Sequence, residues 1–181
     1  MTRKRSNSAP KWSDVKAQLE NFDRRGLTAL VQVLYEANPD NRTFLHARLG
    51  LGEDPLAPYK ETIARWLWPN ILKDQDVSVS RAKKAVSDYK KASGDPAGMA
   101  ELMIFYCEQA AGFSSDVGME GDSWFDAMLG MFTDALKLVV ALPEGQRVAL
   151  MARLDAVRTT CHDFGYGVGS ATDYLIAKIV P

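Results

Sequence analysis

Apolar residues recur along the chain at three- and four-residue spacing, which predicts helices with one buried face, and almost nothing reads as strand. Val15, Leu19 and Phe22 mark a first helix, capped by Ser13 and broken at Gly26. Leu27, Leu30, Val31 and Leu34 share a face of a second helix that ends near Ala37. A third begins at Pro39 and buries Phe44, Leu45 and Leu49. A fourth turns Tyr59, Ile63, Trp66 and Leu67 inward and is bent or ended by Pro69. The segment 71–77 has no clear period. A fifth helix over 78–92 carries only a thin stripe, Val79, Ala82, Val86 and Tyr89, which suits an outer position.

Beyond Gly94 the chain is far more apolar. A sixth helix from Pro96 to about Phe113 is apolar almost all round and should be central. After the loop SSDVGMEGD, a seventh helix capped by Asp122 runs to Leu142. Pro143 opens an eighth, with Val148, Met151, Leu154, Val157 and Cys161 on one face. The turn GYGVG leads to a last short helix over 171–179, capped by Ser170.

Punctuation supports this division. Asn38-Pro39, Asp54-Pro55 and Asp95-Pro96 each place a capping side chain before a proline at the first helical position, where no N–H is needed. Gly50, Gly52 and Gly94 mark stops. Short loops make neighbouring helices antiparallel. The expectation is a single all-α domain over 12–181, an antiparallel helical bundle or a short irregular helical-repeat stack of about eight helices, behind a disordered basic tail over 1–11.

Charge adds a division that hydropathy does not. Residues 1–94 hold 17 Lys/Arg against 11 Asp/Glu, and residues 95–181 hold 5 against 12, although the whole chain is at −1. Such a split either pairs internally or presents two opposite surfaces. Cys107 and Cys161 lie in separate apolar patterns and no CxxC pair occurs, so they read as buried free thiols of a reducing compartment. The basic start lacks an apolar segment behind it, and the most apolar stretch, near 127–142, is interrupted by Asp134 and Lys137. These features predict a cytoplasmic protein without a membrane span.

Four stretches, LYEANPDNRTFLHARLG (34–50), DPLAPYKETI (54–63), SRAKKAVSDYKKASGDPAGMAELMIFYCEQAAGF (80–113) and WFDAMLGMFTDALKL (124–138), resemble an uncharacterised family of small, mostly bacterial all-helical proteins. The resemblance implies an all-α fold and supplies no activity.

The residues offer four places for chemistry. Arg81, Lys84 and Lys91 share a face of the fifth helix with Lys83 and Lys90 beside it; with Arg3, Lys4, Arg5 and Lys11 they could neutralise phosphates, or they are a solvated outer face. Asp116, Glu120, Asp122 and Asp126 could hold a divalent cation, but their spacing is not that of a calcium loop. His162 beside Asp163, before three glycines, admits an acid–base or anion-nest reading, or that of a helix terminus. Trp68 falls off its helix's core stripe, either as an interface anchor or partly covered by the segment 74–78. His46 reads as exposed.

No assembled catalytic site, metal set or cofactor motif stands out. The reading that follows is a non-catalytic protein–protein interaction or adaptor module with an unidentified protein partner, its contact surface centred on Arg81, Lys83, Lys84, Lys90, Lys91 and Trp68. The alternatives are a nucleic-acid-binding protein using the basic tail and helix 80–92, and a metal-dependent or acid–base enzyme around His162 and Asp163.

Overall fold

The computed structural model describes residues 9–180, and those residues form an all-α protein of nine α-helices with one 3-10 turn. The expected tail therefore lies largely outside the described residues, Arg3, Lys4 and Arg5 with it. The helices are α1 (Trp12–Leu19), α2 (Arg24–Ala37), α3 (Pro39–Leu49), α4 (Ala57–Leu67), α5 (Val79–Ala92), α6 (Pro96–Val117), α7 (Asp122–Ala141), α8 (Glu144–Cys161) and α9 (Val168–Ile179). The unassigned segment contains the 3-10 turn, Ile71–Lys73.

By their contacts the residues divide into two units, one ending at Leu45 and one starting at His46, so the charge boundary near residue 94 is not a structural boundary. In the first unit, Ser13 does not cap α1. The cap position falls two residues earlier, at Lys11, whose N–H donates to the Asp14 carboxylate at 2.7 Å. Gly26 does not break the chain either. Asp23 caps α2 by accepting from the Gly26 N–H at 2.7 Å, which puts the glycine in the first turn, where it completes the cap. No residue of α1 or α2 is buried.

The second unit holds the core. α6 packs against α4, α5, α7 and α8, and α9 against α7 and α8. As its composition predicts, α6 buries residues on most of its sides, among them Leu102, Ile104, Tyr106 and Cys107. The capping expectation holds at Asp95, which accepts from the Gly98 N–H at 2.7 Å, and Ser78 caps α5 by accepting from the Arg81 N–H. Asp54 caps a turn just ahead of α4, accepting from the Leu56 N–H at 2.9 Å. Five boundaries differ from expectation. α4 starts at Ala57 behind Leu56, not at Pro55. α6 runs through Ser114–Val117 to a left-handed Gly118, because a glycine is the first residue there that relaxes into that conformation freely. Gly121, not Asp122, precedes α7. α9 starts at Val168 behind a left-handed Gly167, so Ser170 lies inside it, and α8 is capped at His162, not Gly165. On α8, Val148 is exposed while Leu154, Val157 and Cys161 are buried.

Trp68 and Gly112 meet across the α4–α6 junction. A Cβ on Gly112 would lie 2.3 Å from the Trp68 ring, so the indole rests on bare α6 backbone. Trp68 is thus half covered, and what covers it is α6. Gly112→Ala should push the ring off this seat and lower stability by about 1–2 kcal/mol, the usual cost of overpacking. A chemical-denaturation midpoint unchanged from the native chain would show that the indole makes no such contact.

Candidate functional site

The basic residues predicted to form a contact surface lie on α5, and several are already engaged. The caps at Ser78 and the buried stripe of Ala82, Ala85, Val86, Tyr89 and Ala92 fix which way the helix faces. Lys84 and Lys91 both pair with Asp88, the second at 3.4 Å. The Arg81 guanidinium stacks over Trp66 at 4.2 Å, and Arg65 stacks over the same indole at 4.4 Å. Lys83 and Lys90 are exposed on this helix. Tyr89 is buried, edge-on to Tyr59 at 5.3 Å, so it offers no stacking platform to a base.

His162 and Asp163 point to different partners. His162 ends α8, and its Nε2 lies 3.2 Å from Asp173 on α9. Asp173 also accepts from Arg158 at 2.9 Å; that guanidinium first, and His162 second, hold its carboxyl below the usual range. The helices come together here because Gly169 has no side chain. A Cβ there would sit 2.6 Å from the His162 imidazole. This corner joins α8 to α9 as an exposed ion-pair cluster. It places no nucleophile beside the imidazole.

Asp163 instead faces a cleft of about 270 Å³ between the ends of α6 and α8. Ser114 comes from the last turn of α6, Met119 and Glu120 from the loop beyond it, Phe125 from α7, and Asp163 and Phe164 from the turn after α8. Phe125 and Phe164 stack with centroids 5.6 Å apart, and Tyr166 lies 5.7 Å from Phe125. Tyr166 holds a positive φ of 60°, uncommon for a bulky residue, and its hydroxyl donates to Glu120 at 3.3 Å. Ser114 is buried and accepts from the Trp124 indole N–H at 2.9 Å. Of the acidic loop, then, Glu120 meets Asp163 across a shared cleft, whereas His162 turns away. Among the described residues no group of three metal-ligating side chains forms.

A buried-edge ion network ties α4, α6 and α8. Arg153 binds Glu108 through two hydrogen bonds of 2.7 Å and also binds Glu101, which accepts a further ion pair from Lys60 at 2.7 Å. Burial pushes the Glu101 carboxyl up, but the hydrogen bonds from Lys60 and Arg153 outweigh it and hold the group below its ordinary range. Lys60–Glu101 joins the basic half of the sequence to the acidic half; most other ion pairs stay within one half. Cys107 and Cys161 are free and buried, as expected; burial pushes the Cys161 thiol up to about 12 and raises Cys107 well above its ordinary range, so neither is a thiolate near neutral pH.

The largest departure from expectation is in the first unit. Of the four residues assigned by period to a buried face, Leu27, Val31 and Leu34 are 39%, 45% and 50% exposed and Leu30 is half-buried. Trp12, Val15, Phe22, Val33 and Phe44 are exposed as well. The last residues of α3 belong to the second unit; there Ala47 is buried, Leu49 is exposed, and His46, expected on the surface, is half-buried. Periodicity located the apolar stripe but carries no information on what covers it. Among the described residues no helix is long and apolar enough to cross a membrane. No family model, no curated protein and no solved structure matches this chain.

Proposed function

We propose that the protein is a non-catalytic interaction module that binds another protein. The observation that carries this reading is the α2 stripe. Leu27, Val31 and Leu34, spaced i, i+4 and i+7, leave an amphipathic helix with its apolar face in solvent. A row of aliphatic side chains at that spacing fits an apolar helix of a partner, the common helix-in-groove or helix-on-helix mode. Exposed apolar surface of this kind is unusual on an unpartnered chain and marks binding sites. In the second unit, the basic residues of α5, Arg81, Lys83, Lys84, Lys90 and Lys91, form a separate positive face that accelerates encounter with an acidic partner. This moves the centre of the proposed surface from α5 to α2, because Arg81, Lys84 and Lys91 already have partners within the chain.

The test is affinity capture with nuclease treatment at two salt concentrations. Leu27→Glu with Leu34→Glu should abolish recovery of a stoichiometric partner at both. Charge reversal at Lys84 and Lys91 should weaken capture at low salt and matter little at high salt. Capture that survives the α2 double variant overturns the proposed surface. Recovery of nucleic acid lost steeply with salt would replace the reading with polyanion binding through α5.

A further inference from the structure

We infer that two copies of this chain associate through α2, the two helices lying antiparallel across a two-fold axis. This rests on the reading of α2 as a contact face and names its occupant as a second copy.

The first unit lacks a core of its own. From residue 9 to residue 45 no side chain is buried, yet α1, α2 and much of α3 lie there. Helices of 8 to 14 residues are marginal in water without a packed face. The α2 stripe therefore gains most from a neighbour that brings apolar surface of its own. With 3.6 residues to a turn, Leu27, Leu30, Val31 and Leu34 fall within about 100° of the helix circumference and form one patch. Its centre lies between Leu30 and Val31. A two-fold axis through that point sets Leu27 against the partner's Leu34, and Leu30 against the partner's Val31. Every position of the patch then meets an aliphatic side chain. A surface that is complementary to itself in this way makes an isologous contact, which closes as a dimer.

Charge decides the direction. Arg24 and Arg25 stand exposed at the N-terminal end of α2, and the one carboxylate beside them, Asp23, already accepts from the Gly26 N–H. The C-terminal end carries Glu36, with Asp40 just beyond it, and there Arg42 lies over the Tyr35 ring at 6.0 Å. The first end is net positive and the second net negative. Antiparallel pairing lays each positive end over the partner's negative end and sets the two helix dipoles against each other; parallel pairing would lay like on like. Area limits the strength. One 14-residue helix from each copy falls short of the roughly 1,200–2,000 Å² that stable interfaces bury, so the pairing is reversible and the dilute chain is monomeric.

Sedimentation equilibrium of the full chain, from micromolar to millimolar concentration, should show the average mass rising from one chain towards two. Leu27→Glu with Leu34→Glu should weaken association about a hundredfold or more, because the seam would then bury four carboxylates. The circular dichroism spectrum should stay that of the native chain, since neither side chain is buried. Oxidative cross-linking reads the direction, and the buried Cys107 and Cys161 stay out of it. Val31→Cys, next to the two-fold axis, should give a covalent dimer. Leu27→Cys should not, because antiparallel pairing carries the two copies of residue 27 about 10 Å apart along the helices. A mass of one chain at every concentration, a dimer that survives the double glutamate variant, or equal cross-linking at the two positions would each overturn the pairing. A chain that stays monomeric, yet loses a captured protein in that double variant, would overturn self-association alone and leave the α2 contact face standing.

Discussion

Phe132→Ala should lower the stability of the second unit by about 3–5 kcal/mol, the usual cost of removing a fully buried aromatic ring. Phe132 sits in the middle of α7 with no exposed surface, among Met128, Ala135 and Leu136, which are equally enclosed. The transfer term is accompanied by a cavity term, because helices gathered round α6 cannot all close on the space left behind. Since domains are stable by only about 5–15 kcal/mol, the variant should lose a large part of its margin. Leu34→Ala on α2, with half of the side chain already in water, should cost well under about 1 kcal/mol. Urea-unfolding midpoints for the two variants measure the contrast. A Leu34→Ala penalty as large as that of Phe132→Ala would mean that the α2 stripe is buried in solution, and the surface proposed for partner binding would already be occupied.

That contrast also marks where the sequence stops being readable. The all-α class, the centrality of α6 and the starts of α3, α5 and α6 were legible, because periodicity and capping are local properties. Gly26 was misread as a break because helix-stopping glycine and first-turn glycine look alike until the Asp23 cap is placed. Ser114–Val117 read as loop because Ser and Asp favour caps and turns, yet tertiary packing of Ser114 against Trp124 extends α6 over them. α7 shows one polar line, Asp126, Thr133 and Lys137, on an otherwise apolar surface, which predicts burial, and it is buried; the exposure of α2 is not legible, because a single apolar stripe at helical spacing looks the same whether or not a neighbour covers it. The cleft was out of reach for the same reason. Glu120 and Asp163 were each noticed, but their meeting depends on where α6 and α8 end relative to one another. The sequence carried one unused signal: Glu101 and Glu108, two turns apart on an otherwise apolar helix, called for a cation from another element, and Arg153 is that cation.

Arg153→Met should destabilise the protein by about 2–3 kcal/mol near neutral pH, less than the roughly 3–5 kcal/mol of a fully enclosed pair because these side chains keep a fifth to a third of their surface in water. The substitution preserves much of the side-chain length and removes the guanidinium that holds two carboxylates on α6. Glu101 retains Lys60, whereas Glu108 loses a bidentate partner, so the penalty is repulsion between the carboxylates together with the unmet desolvation of Glu108. The pH dependence has a definite sign. Glu101 is held below its ordinary value of 4.5 in the folded chain, so its pairing stabilises above that pH and is lost as pH falls through the folded-state value. The native chain should therefore weaken below about pH 4.5, and the gap between native and Arg153→Met should narrow over the same interval as Glu101 gains its proton and no longer needs the cation. Denaturation midpoints taken at successive pH values follow both curves. A gap that stays constant from neutral pH into the acid range would show that Arg153 acts through the packing of its methylene stem, and not through the charge it shares with Glu101 and Glu108.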